Sequence, residues 1–252
     1  MSEHASCYRL VRELRAAWAI AKKDMRIYYV KPNIIVSGLL FPLFMFLAFS
    51  VSNTSGPSVM IPGLVAITIL FSASSIEPVS IPIERRTKTF DRLLSAPASL
   101  FAMVLGESLS GFIYSIGIAL VPLIGGTVIF GTPVQSALPL LLGLLLTSFC
   151  FASVGTLFAA YPTESPGDIM SMLNVVRLPL LFISGVFIPL SSIPPFAQFV
   201  TYLSPLTYGH DLIASAYSGT SHLDPIVDAV MLIAFIVTFQ LLAGRIYKRY
   251  NA

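Results

Sequence analysis

Long apolar runs separated by short polar segments dominate the hydrophobic pattern of this chain. A helix needs about 20 consecutive apolar residues to cross a bilayer, and six runs approach or exceed that length. They lie at residues 34–52, 59–81, 101–130, 138–160, 169–189 and 226–247. The pattern therefore predicts six membrane-spanning helices, of which the third is too long for a simple perpendicular crossing.

The N-terminal segment has a helical periodicity of its own. Apolar residues recur there at spacings of four and three, which places them on one face of a helix. They are Leu14, Trp18, Ala21, Met25 and Tyr28, and most of the nearby basic residues fall elsewhere. Such a helix lies along the membrane surface. We expect residues 1–32 to form an interfacial helix that serves as an anchor, or also as a packing platform for a cytoplasmic partner.

The segment between the second and third runs is densely charged, with six charges between Glu84 and Arg92. An apolar stripe at helical spacing passes through it. The stripe consists of Ile83, Thr87, Phe90, Leu94 and Pro97. A solvated loop does not need such a stripe, so residues 83–99 are predicted to contain a short amphipathic helix, ended by Pro97, that meets lipid headgroups or a partner protein.

Composition and charge placement support a membrane protein. Charged residues make up 11% of the chain, against about 25% in soluble domains, so we expect an all-α integral membrane protein with one transmembrane domain over residues 1–252. Fourteen of the fifteen Lys and Arg residues lie before the first run, between the second and third, or after the sixth. Cytoplasmic flanks carry the excess of basic residues, so this distribution fits six spans with both termini in the cytoplasm. We expect the protein to lie in the plasma membrane.

Three ionisable residues are candidates for a role inside the membrane. Arg177 lies well within the fifth run, and Glu77 and Glu107 lie near the ends of the second and third. An unpaired Arg at a helix centre costs about 2.5 to 3.5 kcal/mol on insertion scales, so Arg177 is expected to have a partner. Either it forms an ion pair with Glu77 or Glu107 that sets the helix register, or it belongs to a translocation path or gate.

Sequence motifs of catalysis or cofactor binding do not stand out. The chain has no Gly-Lys pair, and therefore no phosphate loop. Its three histidines and two cysteines show no metal-ligand spacing. The basic clusters lie where topology places them and carry no nucleic-acid-binding motif. We expect a protein that is not an enzyme, has no cofactor of its own and binds no nucleic acid.

Two segments resemble the type-2 ABC transporter permeases, the family that contains daunorubicin-exporter-like membrane subunits. In that family a run like E-R-x-x-G-T-L-E-x-L-L-x-x-P-x-S joins the second and third spans. The matching residues are Glu84, Arg85, Thr89, Phe90, Asp91, Leu93, Leu94, Pro97 and Ser99, with Lys88 where Gly is usual. Residues 182–211 are similar to the family's segment after the fifth span, with Ser204 in place of the common Asn.

The resemblance implies a homodimer of six-helix permease subunits that works with two copies of a cytoplasmic ABC ATPase, which would bind ATP and Mg. The short helix would be the coupling helix, with Phe90 and Leu94 docking into the ATPase. The coupling residues implied in this way are Glu84, Arg85, Arg86, Thr89, Phe90, Asp91, Leu94 and Pro97.

The resemblance also implies that residues 190–215 form an extracellular re-entrant pair of helices. Phe196, Phe199, Pro205 and Tyr208 are its candidate residues. The segment would either cap an exit path for an amphipathic substrate or pack the outer face of the dimer.

The expected function is an ATP-driven exporter subunit for an amphipathic or lipid-like substrate in the membrane. Two alternatives stay open. One is a secondary transporter or channel without an ATPase, for which mid-membrane acidic residues and an inverted repeat would be typical. The other is a structural or signalling subunit of the same fold that transports nothing. A membrane-embedded enzyme is the least supported class, because no catalytic residue set is found.

Overall fold

The structure, a computed structural model, describes residues 2–29, 56–96, 98–187 and 195–250, together with single positions between 36 and 47. Every regular element in these ranges is helical. The elements are α1 (Ser2–Asp24), a π-helical turn (Met25–Tyr29), α2 (Pro57–Ala73), α3 (Glu77–Arg86), α4 (Thr89–Leu94), α5 (Leu100–Phe130), α6 (Ala137–Ala159), α7 (Pro166–Ile183), α8 (Pro195–Thr201), α9 (Pro205–Ser218) and α10 (Pro225–Tyr250).

Five stretches within the described residues are long and apolar enough to cross a membrane. They are Ser58–Arg86, Leu100–Phe130, Ala137–Ala159, Pro166–Ile183 and Pro225–Tyr250. They coincide with the second to sixth predicted runs, and the all-α membrane fold is confirmed. The first predicted run, 34–52, lies mostly outside the described residues, so the count of six spans stays a prediction.

The second span is broken in its middle, where α2 ends at Ala73 and α3 begins at Glu77. The hydroxyls of Ser74 and Ser75 donate to the carbonyl oxygens of Leu70 and Phe71. These bonds satisfy carbonyl oxygens near the end of α2. A helix end that is buried away from water needs such partners from the protein itself. The break therefore places two hydroxyl groups and the carboxyl end of a helix inside the bundle.

Helix α2 forms the centre of the bundle, because its side chains are buried on nearly all sides. Val65, Ala66, Ile67 and Leu70 have no exposed surface, and α2 packs against α5, α6 and α9. A helix that is apolar all round belongs in such a position. The outward faces of α5, α6, α7 and α10 keep many exposed apolar residues, as lipid-facing surfaces do.

Helix α1 lies on α5, and its apolar residues divide between two sides. Ala21 is fully buried, whereas the side chains of Leu14 and Trp18 are 50% and 54% exposed. The approach to α5 is close because position 106 is a glycine: a Cβ atom there would lie 2.7 Å from the carbonyl oxygen of Ala17. The residues that were predicted to share one apolar face therefore do not all pack against the same surface.

Candidate functional site

The three basic segments of the chain meet at one end of the bundle. Lys23 Nζ of α1 lies 2.7 Å from Glu84 Oε1 of α3. Arg85 donates hydrogen bonds to the carbonyl oxygens of Tyr161, at 3.0 Å, and Ala160, at 3.3 Å, just beyond α6. The last helix, α10, contacts α4 through Tyr247. We call this end, which carries Lys23, Arg85 and Lys248, the basic end.

A sharp corner replaces the single helix that was predicted over residues 83–97. Helix α3 ends at Arg86, and α4 begins at Thr89 after a turn at Lys88 with φ 58° and ψ 17°. This left-handed conformation is costly for most residues and free for glycine, which gives a physical reason for the glycine of the family pattern. The hydroxyls of Thr87 and Thr89 lie 3.0 Å apart and brace the turn.

Phe90 faces the interior of the chain, which corrects the prediction that its ring docks into a partner. Its side chain is 2% exposed and belongs to a cluster with Ile81 and Met103. The guanidinium carbon of Arg85 lies 5.0 Å from the centre of its ring, a cation–π contact. The turn at Lys88 reorients α4, so its apolar side meets the bundle instead of continuing the stripe of α3.

The remaining coupling candidates are divided between the interior and the surface. Glu84 is buried, Arg85 is half-buried, and Leu94 is partly buried against the Phe90 cluster. Pro97 lies outside the described residues. The exposed candidates are Arg86, Thr89, Asp91 and Arg92, and together with the exposed Lys88 they form what we call the corner surface. Charge rather than apolar area therefore characterises the outward side of the corner.

A cluster of buried acids lies directly behind the corner. Asp24, Glu84 and Glu107 are each at most 5% exposed, and Lys23 is the base among them. Lys23 Nζ lies 3.0 Å from Asp24 Oδ1, and the Tyr28 hydroxyl donates to Glu84 at 3.3 Å. These contacts connect α1 to α3 at the basic end.

Two groups of this cluster outside the spans have shifted pKa values. Burial raises the pKa of Asp24 to about 6, although the neighbouring Lys23 lowers it. For Lys23, burial lowers the pKa, but the carboxylates of Glu107, Asp24 and Glu84 together raise it above its ordinary value. Lys23 is therefore firmly protonated and offsets part of the negative charge of the cluster.

Glu77, the second-span candidate, is held by a tyrosine in a cradle of two glycines. It has no exposed surface, and the Tyr29 hydroxyl donates to its Oε1 at 2.9 Å. A Cβ atom at Gly111 would overlap Oε1, and one at Gly155 would lie 2.9 Å from Oε2. The carboxyl group therefore fits between α5 and α6 only because both positions lack side chains.

Arg177 forms no ion pair with any carboxylate of the described residues, so the predicted pair with Glu77 or Glu107 is wrong. Its Nε donates to Asn174 at 2.8 Å, and its Nη1 donates to Ser75 at 2.9 Å and Ser74 at 3.3 Å. Glu77 is instead directed toward Gly111 and Gly155. The carboxyl end of α2 carries a partial negative charge, which together with the two hydroxyls stabilises the guanidinium.

The outer segment forms two short helices of different character. Tyr208 of α9 is 3% exposed, and its hydroxyl donates to the Tyr202 carbonyl at 2.8 Å; Pro205 begins this helix. Phe199 of α8 is 71% exposed. The side chain of Phe196 and residues 190–194 lie outside what the structure describes. The candidates thus divide between a packed α9 and an outward-facing α8.

Sequence reasoning missed Asp24, Tyr29 and the Ser74–Ser75 pair. Asp24 is the one acid in a basic stretch that includes Lys22, Lys23 and Arg26, which was a usable signal. Tyr29 and the serines carried no signal, because hydroxyl residues are common in membrane helices. Within the described ranges, no group of three acidic, His or Cys side chains could hold a metal ion.

Comparison with known proteins adds the family. Residues 15–218 match the model of the ABC-2 type transporter family. The chain belongs to this family. It is 26% identical over 245 residues to the inner membrane transport permease YadH of Escherichia coli (strain K12), with 94% of both chains covered. It is 23% identical over 226 residues to the putative transport permease ycf38 of Porphyra purpurea, which covers 84% of this chain and 76% of that one.

A more distant relative is the probable multidrug ABC transporter permease YbhR of Escherichia coli (strain K12). The identity is 20% over 166 residues, which cover 66% of this chain and 45% of the relative. Family membership and the apolar helices together make this ABC-2 permease a multi-pass membrane transport subunit.

Proposed function

We propose that this ABC-2 permease is the membrane subunit of an ATP-driven exporter. Two copies of the chain form the translocation unit, and two separate cytoplasmic ATPase subunits bind ATP and Mg and drive it. The observation that carries the proposal is the corner at residues 84–94, because its inner side is fixed to several helices while its outer side presents charges.

The inner contacts of the corner suit it to transmit a displacement. Phe90 contacts α10 through Tyr247, Arg85 contacts the end of α6, and Glu84 contacts α1 through Lys23. A force applied to the corner would therefore act on three other helices at once. Packed interiors resist compression and pass strain on, so closure of the ATPase pair would shift the spans together and alternate the dimer between inward-facing and outward-facing states.

The orientation follows from the basic end. Because cytoplasmic flanks carry the excess of Lys and Arg, the basic end faces the cytoplasm, with both chain termini on that side. The segment α8–α9 then lies at the outer face, where it caps the exit path of an amphipathic or lipid-like substrate. The exposed ring of Phe199 and the packed α9 support a lipid-contacting cap on a rigid base.

Charge reversal on the corner surface tests the proposal. The double variant Arg86→Glu with Arg92→Glu changes two exposed residues and leaves the Phe90 cluster intact. We expect at least tenfold weaker co-purification of the ATPase subunit and a matching loss of ATP-dependent transport, with an unchanged melting temperature. The matched control is Thr220→Lys, which alters charge at an exposed position of the opposite end. Normal ATPase association of the double variant would disprove the assignment of the corner.

A secondary transporter is the second candidate, because one observation favours it. Glu77 and Glu107 are both at most 2% exposed within spans, and buried acids mark proton paths in many transporters. Liposomes that contain the permease alone, with a pH gradient imposed, distinguish the two. Substrate movement without the ATPase would support the secondary transporter, and movement only with the ATPase and ATP would support the exporter.

A further inference from the structure

A cavity of about 310 Å³ opens beside Arg177. Its walls are mainly apolar. They come from the break between α2 and α3, from α5 and α7, from Tyr28 of the π-helical turn, and from positions 38 and 42 of the first predicted run. Phe71, Ile76, Val79, Tyr114, Met170 and Arg177 are among the lining residues. The volume falls at the lower end of the range of about 300 to 1,000 Å³ that is common for small-molecule sites.

Among the described residues that line this cavity, Arg177 is the single charged one. It is 5% exposed, and its guanidinium carbon lies 4.5 Å from the centre of the Phe71 ring. Its Nε and Nη1 bond to uncharged side-chain groups, whereas Nη2 has no acceptor among the described residues. The chain also has no Asp or Glu between residues 30 and 55 or between 188 and 194, so these segments supply no carboxylate either.

A buried cation without a counter-ion favours the binding of an anion. Desolvation of a charge is costly unless it is paired, and charge-assisted bonds from Arg to phosphate or carboxylate are strong and often bidentate. The hydroxyls of Ser74 and Ser75 hold the guanidinium in place without cancelling its charge. An anionic group that reaches Nη2 would complete the set of partners.

A second cavity, of about 340 Å³, lies farther along the same two helices, α2 and α5. Its lining is almost wholly apolar and includes Leu64 of α2 and Val121 of α5. These residues are seven positions from Phe71 and Tyr114 of the first cavity, which corresponds to about 10 Å of helix. Both helices therefore lead from the charged cavity to an apolar one that lies farther from the basic end.

We propose that the two cavities bind an amphipathic anion, with its phosphate or carboxylate head at Arg177 and its acyl chain in the apolar cavity. The proposal rests on the exporter function proposed above and deepens it by naming the chemical class of the substrate. A retained anionic membrane lipid and a transported amphiphile share this chemistry, and the experiment below separates them.

The direct test uses purified permease in neutral detergent and native mass spectrometry. Lysophosphatidic acid is the anionic amphiphile, lysophosphatidylcholine supplies the same tail with a zwitterionic head, and inorganic phosphate supplies the head alone. We expect lysophosphatidic acid to bind at least tenfold more tightly than lysophosphatidylcholine, and inorganic phosphate not to bind. Equal binding of the two lysolipids would overturn the proposal.

Variants assign the binding to the cavities. Arg177→Met should weaken binding of lysophosphatidic acid at least tenfold and leave lysophosphatidylcholine unchanged, while Arg249→Met, at an exposed position, is the matched control. Because Arg177→Met could fail to fold, Met170→Trp provides an independent variant that fills the cavity and retains the arginine. It should weaken the binding of both lysolipids. Wild-type binding of lysophosphatidic acid to Met170→Trp would overturn the proposal.

A final measurement separates the two sources and the two proposals. If lysophosphatidic acid stimulates ATP hydrolysis by the complex of wild-type permease and ATPase, but not by the Met170→Trp complex, the occupant is cargo. If it binds without stimulation and an anionic lipid co-purifies with the wild type only, the occupant is a resident lipid; both results support the site. If the wild-type permease binds lysophosphatidic acid but no ATPase, the proposed exporter function is wrong and the site stands. If it binds the ATPase but not lysophosphatidic acid, the proposed site is wrong and the exporter function stands.

Discussion

The ring of Phe90 stacks on the ring of Tyr247, with their centroids 6.0 Å apart and an angle of 25° between the planes. This contact joins the short helix α4 to the last span near its end. Both side chains are 2% exposed, so the apolar side of the corner is directed into the chain. An ATPase that approaches the corner would therefore meet charges first.

Phe90→Ala should destabilise the protein rather than act directly on partner binding. Removal of a buried Phe side chain costs about 3 to 5 kcal/mol, because apolar contacts are lost and a cavity remains. We expect a clearly lower melting temperature in detergent, and a smaller loss for Leu94→Ala, whose side chain is only partly buried. An unchanged melting temperature together with lost ATPase association would show that the ring faces outward.

Among the described residues, Lys88 is the one residue other than glycine that has a positive φ. Its substitution is therefore informative. The left-handed conformation costs an ordinary residue about 1 to 2 kcal/mol. Lys88→Gly should therefore raise the free energy of unfolding by up to about 1 kcal/mol, since glycine also loses more entropy on folding. Lys88→Val should lower it, because a β-branched side chain tolerates this conformation least.

Thermal unfolding of the two variants beside the wild type provides the measurement. Lys88→Ala is the control for the lost charge, since it removes the ammonium group and keeps the Cβ atom. A melting temperature of Lys88→Gly below that of Lys88→Ala would contradict the left-handed turn.

The five spans within the described residues could be predicted from the sequence because their signal is local. Twenty apolar residues in a row need no knowledge of neighbours, and the predicted limits of 101–130 differ from Leu100–Phe130 by one residue at most. The corner could not be predicted in the same way. Periodicity places Ile83, Phe90 and Leu94 on one face only if the helix is continuous, and a left-handed lysine breaks that assumption without any change in hydrophobic pattern.

The partner of Arg177 could not be predicted because sequence does not give the direction in which a helix face points. Glu77 closely follows Ser74 and Ser75, which contact Arg177, but its carboxylate faces Gly111 and Gly155. The partners of Arg177 are instead the hydroxyl oxygens of Ser74 and Ser75, which lie at the break between α2 and α3. Long-range packing therefore decided the intramembrane contacts, while hydropathy decided the spans.

Lys23→Met should loosen the contact between α1 and α3. The substitution leaves the buried acids Asp24, Glu84 and Glu107 without their nearby base. Breaking a fully buried pair costs about 3 to 5 kcal/mol, and we expect about 1 to 3 kcal/mol here, because the Lys23 side chain is 31% exposed and solvent screens part of the interaction. The measurement is the melting temperature at pH 7.

The neighbouring Lys22 offers a matched control for this change. It is exposed, and none of the ion pairs found among the described residues includes it. Lys22→Met should therefore leave the melting temperature unchanged. Equal losses for both variants would mean that the pair of Lys23 with Glu84 contributes nothing specific.

Asp24→Asn should change how stability depends on pH. Burial raises the pKa of Asp24 from its ordinary value of 3.8 to about 6, so the folded protein holds this proton more tightly than the unfolded chain does. The contribution of Asp24 to stability is therefore full below about pH 4 and is lost as the pH rises to about 6. Asparagine does not ionise, so the Asp24→Asn variant does not lose this stability as the pH rises.

The difference in melting temperature between Asp24→Asn and the wild type, measured from pH 4 to pH 8, tests this sign. It should move in favour of the variant as the pH rises through the window and stay constant above it. A difference that moves in the opposite direction would show that the carboxylate, not the acid, is the form that the fold prefers.

Asp211 fixes the segment that connects α9 to α10. Its carboxylate accepts hydrogen bonds from the backbone N–H of His222, at 3.0 Å, and of Leu223, at 2.8 Å. Asp211→Ala leaves both N–H groups without this acceptor. Because His222 is exposed and Leu223 is half-buried, water replaces part of the lost bonds, and we expect a cost of about 0.5 to 1.5 kcal/mol. We expect faster amide hydrogen exchange at residues 222 and 223 and a lower melting temperature.

Asp211→Asn provides a graded comparison, because it keeps one acceptor oxygen and should give an intermediate exchange rate. Asp224→Ala is the control at an exposed site of the same segment: its Oδ1 accepts from Ile226 at 2.8 Å, so its removal should affect exchange at residue 226 and spare residues 222 and 223. If the connection instead kept its slow exchange in Asp211→Ala, the packing of α9 and α10 alone would hold it, and the carboxylate would have no part in fixing the outer segment.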